Sequence, residues 1–246
     1  RQIFGFPEGS GGLFVSGGSM ANLTGLAVVR FVKQAHTPDF RVYFSDQTHS
    51  SVAKGLATLG FRPEQIRQIA TQSDGRLSLA VLTKAVADDR AAGLKPFCVV
   101  ANAGTTNAGT VDALSEIAAF CKQENLWMHV DAAFGGGGML SEKGRKTLRG
   151  IELADSLTID PHKWLFQPYE VGCSLVRNRQ LLNDTFKVSA EYLKILEQSA
   201  EQINFYDYGV QLTRGFRALK VWMSFKVFGL EAFGQAVDIG IRHAEM

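Results

Sequence analysis

The feature that most constrains this chain is an alternation of short apolar runs with longer stretches of helical periodicity. That pattern is the signature of an α/β fold built on a mainly parallel sheet. The runs Arg41–Ser45, Gln65–Ala70, Pro96–Asn102, Leu126–Asp131, Ser156–Asp160 and Gly172–Val176 read as strands. Ser19–Gln34, Leu77–Ala92, Val111–Glu124, Arg179–Phe186 and Val210–Phe228 read as helices. Asp112, with Glu116 one turn on, suits the N-terminus of the third helix. In open α/β sheets, ligands sit beyond the carboxyl ends of the strands. Topology therefore gathers Asn102 and Thr106, then Asp131, then Asp160, His162 and Lys163 along one edge.

Composition narrows the function. A formal charge of +2 spread over interspersed acidic and basic residues gives no footprint for nucleic acid or a charged membrane. No apolar run reaches membrane-spanning length. Three cysteines, Cys98, Cys121 and Cys173, form no framework spacing and read as reduced thiols of a cytoplasmic protein. The chain opens at Arg1 without an initiator Met and closes within an amphipathic segment, residues 231–246. Those ends suggest a piece of a longer polypeptide.

Five segments can carry chemistry. Gly11 to Asn22 is glycine-rich and runs into a helix; free N–H groups there can bind a phosphate. Taken alone, a tight turn with a Ser cap explains it as well. Gly17-Gly18-Ser19-Met20-Ala21 also loosely resembles a hydrolase nucleophile elbow, but the only late histidine for such a triad is His243. In Leu126 to Gly135, strand period puts His129 and Asp131 on one face. A carboxylate ending a buried strand is costly unless it meets a cation, for which a protonated ring nitrogen is one candidate. The small Ala132-Ala133 pair and Gly135 to Gly138 would leave room for a flat ring. A loop-capping Asp and a structural His129 form the simpler account, and no ligand spacing supports a His129/Asp131/His162 metal site.

The other three segments are Ala154 to Trp164, Phe44 to Ser51 and Val99 to Thr110. Lys163 lies just past a strand end between His162 and Trp164, a crowded, partly apolar setting suited to Schiff-base chemistry. Most lysines, by contrast, are simply solvated. His49 could stack on an aromatic ligand or relay a proton, or merely occupy a polar turn. The Gly/Thr-rich loop holding Thr106 could bond a ligand oxygen, or be only a loop.

In this order, the segments resemble the group II decarboxylases that depend on pyridoxal 5'-phosphate (PLP). The aromatic-L-amino-acid branch is most similar, through Ser45-Asp46-Gln47-Thr48-His49-Ser50-Ser51, His129-Val130-Asp131-Ala132-Ala133 and Asp160-Pro161-His162-Lys163-Trp164. Leu212-Thr213-Arg214-Gly215-Phe216-Arg217 and the residues after it extend the likeness over nearly the whole chain. The resemblance implies the large domain of a fold-type I PLP enzyme: a mixed, mostly parallel seven-stranded sheet flanked by helices. It implies PLP-binding residues 1–228, with 229–246 starting the helical connection to a small domain absent from this sequence.

It also implies roles. Lys163 would carry PLP as a Schiff base, and Asp131 would pair with the pyridinium nitrogen. His49 would stack on one ring face with Ala133 on the other. Gly18 and Ser19 would donate to the phosphate, Thr106 would lie near the phenolic oxygen, and His162 near the aldimine and phosphate. Phe186 to Leu193 resembles the family's catalytic loop, whose tyrosine, here Tyr192, would protonate the carbanion. Having both Tyr192 and His49 favours plain decarboxylation over oxidative aldehyde formation. The implied partners are an amino-acid substrate, aromatic first, and a second copy of the chain, with the active site at the homodimer interface. Two positions depart from the aromatic pattern. Asp160 stands where an Asn contacting phosphate is frequent, and Thr213 replaces a glycine near the substrate side-chain pocket. Glutamate or 2,4-diaminobutyrate decarboxylation, aldehyde synthesis, carbon–carbon lysis and transamination are the alternatives on this fold. A hydrolase using Ser19 is the alternative off it.

Overall fold

The computed structural model describes residues 1–188 and 203–246 and contains one seven-stranded sheet. In chain order the elements are β1 (Gly11–Val15), α1 (Gly18–Val32), β2 (Phe40–Ser45), α2 (Ser50–Thr58), β3 (Ile66–Ile69), α3 (Leu79–Ala91) and β4 (Lys95–Asn102). There follow α4 (Leu114–Gln123), β5 (Trp127–Asp131), α5 (Glu142–Thr147), β6 (Ser156–Ile159), β7 (Gly172–Val176), α6 (Gln180–Phe186) and α7 (Arg217–Ala244). The sheet order is β1-β7-β6-β5-β4-β2-β3. Strands β2 to β6 run parallel to their neighbours in that set. β7 is antiparallel to both β6 and β1.

Helices cover both faces, so the central strands are apolar on both sides rather than alternating with polar residues. On β4, Cys98 and Val100 pack with Leu26 and Val29 of α1 and Leu56 of α2. Val99 and Ala101 point the other way, toward Leu82 of α3 and Ile117 of α4. The seven-stranded, mostly parallel sheet that the family resemblance implies is the one observed, six of its strands being those marked by apolar runs.

Several local expectations needed correction. The glycine-rich opening contains a strand, β1, before it reaches the helix. Gly12 is required there: a Cβ would lie 2.0 Å from the Ser174 carbonyl oxygen on β7. α2 had no forecast; it starts where the His49 ring Nδ1 accepts the Ser51 N–H. Asp112 does not cap α4, whose N-cap is Ala113. Its carboxylate instead accepts the Leu77 and Asn102 backbone N–H groups, at 2.7 Å each, tying two loops to the end of β4. Residues 210–216 are not helical; α7 begins at Arg217 and breaks at Gly229 (φ 77°, ψ 155°).

Candidate active site

The carboxyl ends of the parallel strands open onto a cavity of about 290 Å³. Each strand ends by releasing the chain into a loop, and four such loops plus the start of α1 wall the space. His49 comes from the end of β2, Thr106 from the loop after β4, and Asp131 and Ala133 from the end of β5. Asp160, His162 and Lys163 follow β6, and Gly18 and Ser19 begin α1. Every cofactor-site position expected from the sequence within the described residues thus lines one cavity. Tyr192 lies outside the described residues.

Lys163 is held from both sides. His162 is pinned through Nδ1, which accepts the Val171 N–H at 3.1 Å. Trp164 stacks on Phe134, with centroids 5.8 Å apart and planes 7° from parallel. Between them the Lys163 side chain is 37% exposed, and its Nζ lies 3.2 Å from Asp160 Oδ2. His162 Nε2 is 3.6 Å from the same oxygen. Asp160 is buried, and its Oδ1 has no hydrogen-bond partner among the described residues. Burial pushes its carboxyl above the usual range, while the Lys163 and His162 charges pull the other way. Asp160 sits under the start of α1: a Cβ on Gly18 would come within 2.7 Å of its Oδ2.

Asp131 is 6% exposed. Its Oδ1 accepts the Ala133 N–H at 3.1 Å, and its Oδ2 accepts from the Asn22 side-chain amide at 2.9 Å. His129 shares its face, as strand period requires, but it is no metal ligand. Its ring is fully buried and both nitrogens are engaged, by Ser156 and by Asn22. Among the described residues, no group of three His, Cys, Asp or Glu side chains is arranged to hold a metal ion.

The glycines after Phe134 serve another purpose than the expected one. Gly135 to Gly138 are buried and lie off the cavity. A Cβ on Gly135 would meet the Ala103 carbonyl oxygen at 2.3 Å, and one on Gly137 the Trp164 carbonyl oxygen at 2.8 Å. They allow backbones to touch, not a ring to enter. Ser19 lines the cavity, but His243 lies in the last turn of α7 and does not, so the hydrolase triad has no histidine from that source.

Asn22, Ser51 and Phe134 line the cavity without having been singled out. A signal existed for Asn22. It falls among Ala21, Thr24, Gly25 and Leu26 on the buried side of α1, where a polar amide must find partners.

Residues 1–246 match the pyridoxal-dependent decarboxylase conserved domain. Aromatic-L-amino-acid decarboxylase of Bacillus atrophaeus is 55% identical over 247 residues, covering 100% of this chain and 52% of that protein. L-2,4-diaminobutyrate decarboxylase of Acinetobacter baumannii is 33% identical, covering 98% of this chain and 52% of that protein. Among solved structures, Oryza sativa TDC with PLP and tryptamine superposes with a TM-score of 0.89 at 32% identity, over 95% of this chain and 51% of that one. Mouse CSAD gives 0.91 at 29% identity, over 100% and 52%. The chain spans about half the length of the curated relatives it matches. By sequence match along its whole length and by fold, this chain belongs to the pyridoxal-dependent decarboxylase family.

Proposed function

We propose that the protein removes the α-carboxylate of an L-amino acid with PLP, yielding the amine and carbon dioxide, and that aromatic amino acids are its substrates. The observation that carries this reading is one cavity lined by an amine, Lys163, and by a buried carboxylate, Asp131, with the first turn of α1 as a third wall. The residues present fit the coenzyme. A helix start leaves N–H groups free for a phosphate, and Gly18, without a Cβ, keeps that start of α1 open on the cavity side. A buried acceptor-only group at the strand end suits a protonated ring nitrogen.

Bound there, PLP supplies an electron sink for the pair left behind when carbon dioxide departs. The chain's own residues supply the rest. Lys163 would hold the coenzyme through its amine and yield that position to the substrate's amine. Asp131 would keep a proton on the ring nitrogen. His49 and Ala133 would enclose the ring between them, and Gly18, Ser19 and His162 would serve the phosphate end. Thr106 would lie at the ring hydroxyl. Asp160 would hold the Lys163 ammonium in place before the coenzyme arrives. Tyr192 would return one proton to the α-carbon, which balances the carboxylate lost. The homodimer implied by the family resemblance, with its active site at the interface, belongs to this reading. It is consistent with the exposed Trp222, Val227 and Phe228 along α7. A cytoplasmic, reducing setting accords with three free thiols, two of them buried.

The test is product analysis. Full-length protein with PLP, offered aromatic amino acids, glutamate and 2,4-diaminobutyrate, should form amine and carbon dioxide from an aromatic substrate. Keto acid or aldehyde as the main product would overturn the reaction, and exclusive turnover of 2,4-diaminobutyrate would overturn the substrate class.

A further inference from the structure

We propose that Asn22 is a positioning residue whose side-chain amide joins Trp127, Ser156, His129, Ser51, His49 and Asp131 into one directed hydrogen-bond chain. That chain sets the tautomer of His129 and the orientation of the Asp131 carboxylate, and it agrees with the Nε2–H form of His49 that the Ser51 backbone N–H imposes. The inference rests on the reading of this cavity as the coenzyme site, and it concerns groups behind the wall as well as on it.

The direction follows from the two ends. Trp127 Nε1 can only donate, and it donates to Ser156 Oγ at 2.8 Å. Asp131, as a carboxylate, can only accept. An Asn22 amide turned the other way would set its carbonyl oxygen against Asp131 Oδ2, 2.9 Å away. Asn22 Nδ2 therefore faces Asp131, and it also donates to Ser51 Oγ at 3.0 Å. Asn22 Oδ1 is left facing His129 Nε2 at 2.9 Å, so that nitrogen carries the proton. Thr158 Oγ1, at 3.4 Å, is the longer contact of the same nitrogen. His129 Nδ1 is then an acceptor, 2.7 Å from the Ser156 hydroxyl, whose one proton it receives. Each assignment agrees with its neighbours.

The other branch reaches the cavity. Ser51 Oγ accepts from Asn22 and has its proton left for His49 Nδ1, 2.8 Å away. The Ser51 backbone N–H points at the same nitrogen, at 3.2 Å. His49 is thereby fixed as the Nε2–H tautomer. Asn22, Ser51, His129 and Ser156 are all buried, where an unmatched donor or acceptor is costly and a satisfied network specifies one arrangement. Space for the chain is made by Gly25: a Cβ there would lie 2.7 Å from His129 Cε1. Burial also lowers the His129 pKa to about 4, against the opposing pull of Asp131, which agrees with a neutral ring.

Nitrogen NMR of the ¹⁵N-histidine-labelled full-length protein, first without coenzyme, reads the tautomers directly. At neutral pH, His129 and His49 should each show a single Nε2–H form. In Asn22→Leu, His129 Nε2 loses its carbonyl acceptor, so His129 should show both tautomers, while His49 stays Nε2–H because the Ser51 backbone N–H still points at its Nδ1. PLP affinity of that variant should fall by about tenfold or more, the loss of a charged hydrogen bond to the ring-facing carboxylate. An Nδ1–H form of either ring in the unmodified protein overturns the proposal. So does a folded Asn22→Leu protein with unchanged tautomers and affinity. Should that variant fail to fold, the spectra of the unmodified protein decide alone. Because tautomers are read without coenzyme, they stand or fall apart from whether Lys163 takes up PLP.

Discussion

Lys163→Ala in the full-length protein is expected to abolish amine formation, lowering kcat by on the order of a thousandfold or more, as removal of a covalent catalytic group does. The fold should survive. The Lys163 side chain is 37% exposed and its recorded ionic partner is Asp160, so its loss leaves the core clusters intact. Lys163→Arg should fail equally, because a guanidinium retains the charge beside Asp160 but offers no free amine to a carbonyl carbon. Circular dichroism would show both variants folded, and turnover assays would show both inactive. Turnover by either within tenfold of the parent would remove Lys163 from its assigned role.

Asp131→Ala has the second-largest expected effect. Truncating one member of a buried, hydrogen-bonded charge pair costs about 2–5 kcal/mol, which corresponds to roughly 30-fold to several-thousandfold in rate. The substitution also strands the Asn22 amide donor that Asp131 Oδ2 now satisfies at 2.9 Å, so coenzyme retention should fall with activity. Asp131→Glu keeps the charge but lengthens its stem in a site where Oδ1 already accepts the Ala133 N–H, and it should recover only part of the loss. A near-normal rate for Asp131→Ala would contradict its pairing with the ring nitrogen. The comparison of kcat with coenzyme affinity across the two variants separates electronic from binding effects.

The edge of the sheet was legible because it depends on strand ends, and strand ends are marked by apolar runs. The run ending at Asn102 stops at β4's last residue, and the run ending at Asp131 stops at that of β5. A parallel sheet then brings their successors together without knowledge of any side-chain contact. β1 was not legible. Its two glycines have low strand propensity, and what makes Gly11–Val15 a strand is pairing with β7, far away in sequence. Residues 210–216 read as helix from local composition, yet they lie outside α7. The roles of Gly135 to Gly138 and of Asp112 turned on tertiary partners, namely the Ala103 and Trp164 carbonyls and the Leu77 and Asn102 amides. Asn22 escaped notice for a related reason: its importance lies in three partners drawn from β5 and α2, not in its own neighbours along α1.

Borohydride reduction of the full-length protein incubated with PLP, followed by peptide mapping, tests the central assignment most directly. A reduced pyridoxyl group on the peptide containing Lys163, and absent from Lys163→Ala, is the predicted result. Label on another lysine, or none on any, would contradict it.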